Sequence, residues 1–194
     1  MNLPNKLTLA RVFMVPLFVL LFYWEFPAHY LAATLVFVLA SITDAVDGHL
    51  ARKYKLVTDF GKFLDPLADK VLVMTAFACL LERQYLNIVV FLLIMVREFM
   101  VSALRLVVAG KGTVVPAGFS GKLKTAFTMV ALIAYMVYLS FCRDFGSFGL
   151  SLPDAVYRWT EFGLQGLFWI AAALTVWSGG EYLMAYRKDI DPRA

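Results

Sequence analysis

The sequence has 194 residues, of which 61% are hydrophobic and only 16% are charged; its formal net charge is +4 and its mean hydropathy is +0.74. Soluble domains carry about 45–50% apolar and about 25% charged residues, so this composition excludes an ordinary soluble domain and indicates an integral membrane protein. It also excludes a disordered chain and a disulfide-built module, because apolar residues abound and Cys79 and Cys142 are the only cysteines. Both are predicted to be small apolar filling residues.

Apolar runs along the chain predict an all-α protein with six transmembrane helices. The runs lie at Val12–Trp24, Tyr30–Ile42, Val71–Leu81, Leu86–Val96 continuing to Val108, Ala126–Phe141 and Leu164–Tyr186. Because Leu3, Leu7 and Met14 share a helical stripe, an N-terminal interfacial amphipathic helix is expected to lead into the first span. Six spans of about 20 residues leave only short loops, so residues 1–194 are predicted to form a single membrane domain.

The basic residues divide unequally between the two sides of this arrangement. Thirteen of the eighteen Lys and Arg residues fall on the side that holds both termini, three fall on the other side, and Lys70 and Arg97 fall within spans. The positive-inside tendency therefore places both termini in the cytoplasm.

The segment that joins the second and third spans carries four aspartates near membrane depth, where an unpaired carboxylate is costly. Asp44 and Asp47 are three residues apart, and Asp65 and Asp69 are four apart, so on helices each pair shares a face. Converging carboxylates repel one another unless they bind divalent cations, and oxygen ligands favour Mg²⁺ or Mn²⁺ over Zn²⁺. The spacing therefore predicts a site for two such ions. With only two histidines in the chain, neither a zinc site nor a Ser-His-Asp triad is expected.

Small and basic residues extend this acidic segment. Gly48 and Ala51 share the stripe of the first aspartate pair and open space for helix contact or for a ligand against the backbone. Arg52 lies one turn past Gly48 and is placed to hold a phosphate with its planar fork of donors. Pro66 follows Asp65, which leaves open the alternative that Asp65 only caps the third helix.

Together these positions read Asp44-x2-Asp47-Gly48-x2-Ala51-Arg52-x8-Gly61-x3-Asp65-x3-Asp69. The pattern has all eight fixed positions of the CDP-alcohol phosphatidyltransferase signature at the family's spacings, so the chain resembles that family of membrane enzymes. Three more segments are similar to the bacterial phosphatidylglycerophosphate synthases within it: Pro4–Arg11, Asp59–Lys70 and Gly121–Thr125.

The resemblance implies transfer of a phosphatidyl group from CDP-diacylglycerol to the primary hydroxyl of glycerol 3-phosphate, with release of CMP. It implies that Asp44, Asp47 and Asp65 ligate two divalent ions, with Asp69 contributing to the metal site and serving as the general base. It also implies a set of residues that contact the CDP group: Gly48, Ala51, Arg52 and Thr58. Further candidates for that pocket are Asn5, Thr8 and Arg11, whose alternative roles are helix capping and interfacial anchoring.

The family resemblance also implies where the protein lies and what it meets. The expected location is the bacterial inner (cytoplasmic) membrane, with the active site on the cytoplasmic side. The expected partners are CDP-diacylglycerol, glycerol 3-phosphate, membrane lipid and a second copy of the chain in a homodimer, and no nucleic acid is expected.

An acceptor that carries a phosphate requires a second basic pocket, for which the sequence offers these candidates: Arg97, Arg105, Lys122 and Lys124. Arg97 lies within the fourth predicted span, where an ionisable residue is a candidate for a functional site. The alternatives are an ion pair of Arg97 with an acid elsewhere in the helix bundle and attraction of the loop residues to anionic lipid headgroups. Glu98 and Glu181 are expected to be structural or helix-pairing residues.

Rival functions come from other classes of membrane protein. A cation transporter also places acids in membrane helices, but its acids line a path through the bilayer, whereas these four aspartates cluster toward one surface. A polyprenyl transferase usually has two separate aspartate-rich motifs on a longer chain. Within the resembled family, cardiolipin or phosphatidylserine synthesis is the alternative, because those reactions share the signature and differ in the acceptor pocket.

Overall fold

The computed structural model describes the backbone of residues 3–54, 59–110, 118–146 and 153–187, and the side chains of these except 3–7, 44–69, 109 and 145. All elements within those ranges are helical, which confirms the all-α prediction. They are α1 Leu3–Tyr23, α2 His29–Tyr54, α3 Asp59–Glu82, α4 Ile88–Gly110, α5 Phe119–Leu139, a π-helical turn Ser140–Phe145, and α6 Asp154–Tyr186. Each predicted apolar run falls on a different one of the six α-helices. Five of these helices extend beyond their run by 7 to 12 residues at one end, and α4 agrees with its run to within two residues.

Two helical segments of the described chain are long and apolar enough to cross a membrane, namely Phe119–Asp144 and Asp154–Tyr186. Thr8–Tyr23 and His29–Thr43 are shorter apolar segments. Helix α4 is also strongly apolar, but it carries three charged residues along its length, Arg97, Glu98 and Arg105. The apolar helices agree with a membrane protein, and the arrangement of six spans stays a prediction.

Helix α1 runs without a break from Leu3 to Tyr23 and includes Pro16. The expected interfacial helix and the first apolar run are therefore one continuous element. Thr8 is almost wholly buried, and Arg11 is fully buried with 0% exposure. A surface anchor keeps its charged end in water, so this degree of burial does not fit the interfacial role considered for Arg11.

The described contacts group the chain into two compact units, and the prediction that it acts as a single domain stays a prediction. The first unit comprises Met1–Glu82 and Ile133–Pro153. In it, α1 packs against both α2 and α3. The contact of α1 with α2 is aromatic, because the ring of Phe18 lies 5.9 Å from that of Phe37. The π-helical turn also packs on α2, where Asp144 Oδ2 accepts the Leu31 N–H at 2.8 Å.

The second unit comprises Arg83–Leu132 and Asp154–Ala194. Its main contact is α4 against α6. Helix α4 begins after Asn87, whose side-chain oxygen accepts the Val89 N–H at 2.8 Å and so caps the helix. Near the other end of α4, an apolar cluster forms from Val101, Leu104 and Val108 together with Tyr182 of α6. This packing fixes the two helices side by side along the turns that carry the charged residues of α4.

Candidate functional site

The signature residues all lie in helices. Residues Asp44, Asp47, Gly48, Ala51 and Arg52 belong to α2, and residues Gly61, Asp65 and Asp69 belong to α3. Both aspartate pairs therefore have the helical spacing on which the metal prediction depends. Their side chains lie outside the described part of the structure. Among the side chains that are described, no group of three or more His, Cys, Asp or Glu residues is placed to hold a metal ion.

The other candidates for the CDP pocket divide in the same way. Thr58 lies outside the described residues, and Asn5 is described only as part of the α1 backbone. Thr8 and Arg11 are buried on α1 in the first unit. A buried arginine needs polar partners, so Arg11 stays a candidate for a functional role rather than a solvated surface residue.

Three of the four candidates for the acceptor pocket lie in one polar network of the second unit. Arg97, Arg105 and Lys124 are here called the basic cluster. Arg97 is only 6% exposed, and its Nη2 donates to Ser178 Oγ of α6 at 2.6 Å. Its Nη1 donates to Glu98 Oε1 at 3.2 Å.

Glu98 joins two members of the basic cluster. The same Oε1 atom that accepts from Arg97 also forms an ion pair with the Lys124 ammonium of α5. Lys124 is only 7% exposed, so its charge is held in a largely dry environment opposite this carboxylate. The contacts of Glu98 agree with its expected structural, helix-pairing role. Among the described residues, Arg97 pairs with this adjacent residue of its own helix and not with an acid elsewhere in the bundle.

Arg105 reaches the network through a tyrosine. Its Nη2 donates to Tyr182 Oη at 2.8 Å, and its guanidinium carbon lies 5.1 Å from the centre of the Tyr182 ring. Arg97 approaches the same ring at 5.7 Å. Unlike Arg97, Arg105 is exposed, and it makes no other hydrogen bond among the described residues. A guanidinium has five N–H donors, so most of the donors of Arg105 face solvent and are open to a ligand.

Two neighbouring groups do not join the basic cluster. Lys122 is exposed, and its side chain forms no ion pair with the part of the chain that the structure describes. Glu181 pairs helices as expected: it accepts a hydrogen bond from Ser120 of α5 and another from Trp177 Nε1 at 2.7 Å.

The charges of the network favour an anion. Arg97, Arg105 and Lys124 carry three positive charges and Glu98 carries one negative charge, which leaves a net charge of +2. A phosphate monoester carries about −1.5 to −2 at neutral pH, and the planar fork of arginine matches its oxygens. The network is therefore chemically suited to a phosphate-bearing ligand.

Sequence reasoning did not identify Ser178 or Tyr182 as part of this site. In the sequence, Tyr182 is an aromatic residue near the end of a predicted span, and Ser178 is a small residue within an apolar run. One signal was available: the two hydroxyl residues are four apart on one helix face, within an otherwise apolar segment. That signal does not say which helix the face meets.

Comparison with known proteins places these features in one family. Residues 1–177 match the family model described as CDP-alcohol phosphatidyltransferase. A protein of Bacillus subtilis (strain 168) is 40% identical, with 93% of each chain covered. Relatives in Rickettsia bellii (strain RML369-C) and Escherichia coli (strain K12) are 42% and 39% identical, with 96% and 97% of each chain covered.

All three relatives are named CDP-diacylglycerol–glycerol-3-phosphate 3-phosphatidyltransferase. The similarity runs through both units and includes the helices that carry the aspartates and the basic cluster. The chain therefore belongs to the CDP-alcohol phosphatidyltransferase family.

Proposed function

We propose that this chain transfers the phosphatidyl group of CDP-diacylglycerol to glycerol 3-phosphate, giving phosphatidylglycerophosphate and CMP. Relatives that are 39% to 42% identical over nearly their whole length carry the name of this activity. The structural observation that carries the choice of acceptor is the basic cluster. Its net charge of +2 complements the phosphate of glycerol 3-phosphate, whereas an acceptor such as serine has no phosphate to occupy it.

Arg105 is the proposed first contact for the acceptor phosphate. Its guanidinium is exposed and hydrogen-bonded to a neutral phenol, so a phosphate can approach it without displacing a carboxylate. Arg97 and Lys124 lie deeper and share Glu98, and we assign them to the positive field behind that contact. Lys122 is exposed on the first turn of α5 and is proposed to attract the phosphate or an anionic lipid headgroup.

At the phosphorus atom of the phosphatidyl group, the reaction forms one bond and breaks one bond. The primary hydroxyl oxygen of the acceptor bonds to the phosphorus of the phosphatidyl group, and the bond from that phosphorus to the bridging oxygen of the diphosphate breaks. CMP leaves with the bridging oxygen and its electron pair. The proton of the attacking hydroxyl passes to a base, for which Asp69 is the proposed residue. No covalent intermediate on the protein is needed.

The four aspartates are proposed to hold two divalent cations, Mg²⁺ or Mn²⁺. Asp44, Asp47, Asp65 and Asp69 offer only oxygen ligands, at helical spacings on α2 and α3, and this donor set fits hard divalent ions. Dependence on a divalent metal is general in the family. When bound, such ions polarise the diphosphate and neutralise the charge that develops on the leaving phosphate.

The residues beside the aspartates are proposed to bind the CDP group. Gly48 and Ala51 add little bulk to α2, and Arg52 follows them with a fork of donors for a phosphate. The remaining proposed contacts are Thr58, Asn5, Thr8 and Arg11. Arg11 is fully buried on α1, and its guanidinium offers a planar fork of donors for a phosphate.

The expected setting is the bacterial inner membrane. We propose six spans from the six apolar runs. Because most Lys and Arg residues fall on one side of this arrangement, we propose that both termini and the active site face the cytoplasm. We likewise propose that residues 1–194 form a single membrane domain and that two copies of the chain form a homodimer.

The activity is tested with purified protein, labelled CDP-diacylglycerol and a panel of acceptors. Release of CMP should depend on glycerol 3-phosphate and not on serine, inositol phosphate or phosphatidylglycerol. CMP release that does not depend on glycerol 3-phosphate but requires another of these compounds would refute the proposed acceptor.

A further inference from the structure

Tyr182 lies at the centre of the contacts that organise the basic cluster. It belongs to α6, is 6% exposed and packs against Val101, Leu104 and Val108 of α4. It also lies beyond residue 177, where the match to the family model ends. Neither that match nor the names of the relatives assign it a role.

The phenol oxygen of Tyr182 accepts two hydrogen bonds from different parts of the chain. One comes from Arg105 Nη2 of α4 at 2.8 Å, and the other comes from the backbone N–H of Gly118 at 2.9 Å. Gly118 directly precedes α5, the helix that carries Lys122 and Lys124. One oxygen atom therefore links α6 both to an arginine of α4 and to the beginning of α5.

The ring of Tyr182 is flanked by both arginines of the basic cluster. The guanidinium carbons of Arg105 and Arg97 lie 5.1 Å and 5.7 Å from its centre. Each distance is within the range of a cation–π interaction, which attracts a cation to an aromatic ring. Two like charges thus share one ring, which holds them near each other without neutralising either.

We infer that Tyr182 is a positioning residue for the acceptor phosphate: it holds the exposed guanidinium of Arg105 in place beside the start of α5. The inference rests on the proposed function, since it takes the basic cluster as the acceptor site. An exposed arginine samples many rotamers and loses conformational entropy when a ligand immobilises it. If Tyr182 already holds Arg105 in place, that entropy is not lost on binding. Tyr182 does not touch the reacting atoms in this proposal.

The test compares Tyr182→Phe with Tyr186→Phe in the full-length protein. Tyr182→Phe removes the oxygen and keeps the ring. Tyr186→Phe makes the same chemical change one turn further along, at a residue that packs on the same apolar cluster but forms no hydrogen bond or cation–π contact with the basic cluster among the described residues. CMP release is measured with glycerol 3-phosphate varied at saturating CDP-diacylglycerol, and then with the lipid varied at saturating acceptor.

Tyr182→Phe is expected to raise KM for glycerol 3-phosphate by up to about tenfold, because the ligand must then immobilise the Arg105 side chain when it binds. KM for CDP-diacylglycerol and kcat should stay within about twofold, and Tyr186→Phe should leave all three unchanged. A purely structural role of Tyr182 predicts a different result, because misfolded protein lowers the active fraction without changing the acceptor KM.

Arg105→Gln separates this inference from the proposed function. If Arg105→Gln raises the acceptor KM and Tyr182→Phe does not, the positioning role is refuted and the acceptor site stands. If neither substitution changes the acceptor KM, the basic cluster is not the acceptor site. In the double variant, Tyr182→Phe should add little to the effect of Arg105→Gln; full additivity would mean that Tyr182 acts independently of Arg105 and would overturn the inference.

Discussion

Gly179 provides the sharpest test of how the basic cluster is packed. It is buried on α6, and a Cβ atom at this position would lie 2.9 Å from Arg97 Cγ. Ordinary contact begins at 3.4 Å, so Gly179→Ala requires a displacement of about 0.5 Å. The atom that must move is in the middle of the Arg97 side chain, whose far end is held by Ser178 and Glu98. The added methyl group therefore strains the hydrogen bonds of Arg97.

Gly180 supplies a matched control on the same helix. A Cβ atom there meets nothing within 4 Å. Both substitutions gain about 1 kcal/mol of helix propensity, so this term cancels when Gly179→Ala is compared with Gly180→Ala. The remaining difference is the cost of overpacking, about 1–3 kcal/mol, which corresponds to about 2–12 °C in unfolding temperature for a chain of this size.

Two measurements check this prediction. Thermal unfolding in detergent should place Gly179→Ala below Gly180→Ala, and KM for glycerol 3-phosphate should rise only in Gly179→Ala. Equal unfolding temperatures would show that Arg97 accommodates the methyl group without strain. A lower unfolding temperature with an unchanged acceptor KM would show that Arg97 stabilises the helix pair but takes no part in binding the acceptor.

Three further predictions concern the aspartates and Glu98. Asp44→Asn and Asp65→Asn should each abolish turnover without unfolding the protein, as should excess chelator with the unmodified chain; full activity in any of these would contradict the metal site. Asp69→Asn should lose turnover while retaining most of the binding of labelled CDP-diacylglycerol, and undiminished turnover would exclude it as the base. Glu98→Gln should lower the unfolding temperature by about 6–12 °C, because it leaves the buried cations Arg97 and Lys124 without this partly buried carboxylate, at a cost of about 3 kcal/mol. Glu181→Gln, at an exposed carboxylate, is the control, and equal shifts in the two variants would contradict the paired role of Glu98.

The existence of the six helices could be predicted from the sequence because each contains an apolar run of its own. The bounds of five could not, because these helices continue 7 to 12 residues beyond the run at one end. The prediction that Asp44 and Asp47 share one helix face, and that Asp65 and Asp69 share another, is likewise local. It requires only that these residues have a helical backbone, which they do. The start of the chain was harder to interpret. A stripe of leucines is compatible with a separate interfacial helix, and only the structure shows that α1 continues through it and buries Arg11.

The basic cluster could be predicted only in part, because its contacts join residues that are distant in sequence. Arg97 and Ser178 are separated by 81 positions, and Arg105 and Tyr182 by 77. Hydrophobic periodicity indicates which face of a helix is buried but not which helix covers it. The basic residues were identifiable by their charge, whereas their neutral partners resemble any serine or tyrosine in an apolar helix.

The three cations of the basic cluster differ in what already compensates their charge, and this difference assigns their roles. Arg97 and Lys124 are buried and share the carboxylate of Glu98, so a phosphate that bound them directly would have to compete with an existing ion pair. Arg105 is exposed, and among the described residues its only hydrogen-bond partner is the phenol of Tyr182, so a phosphate can bind its guanidinium without such competition. Substitution of Arg105 should therefore act mainly on acceptor affinity, whereas substitution of Arg97 or Lys124 acts first on stability, because it leaves a buried charge without its partner.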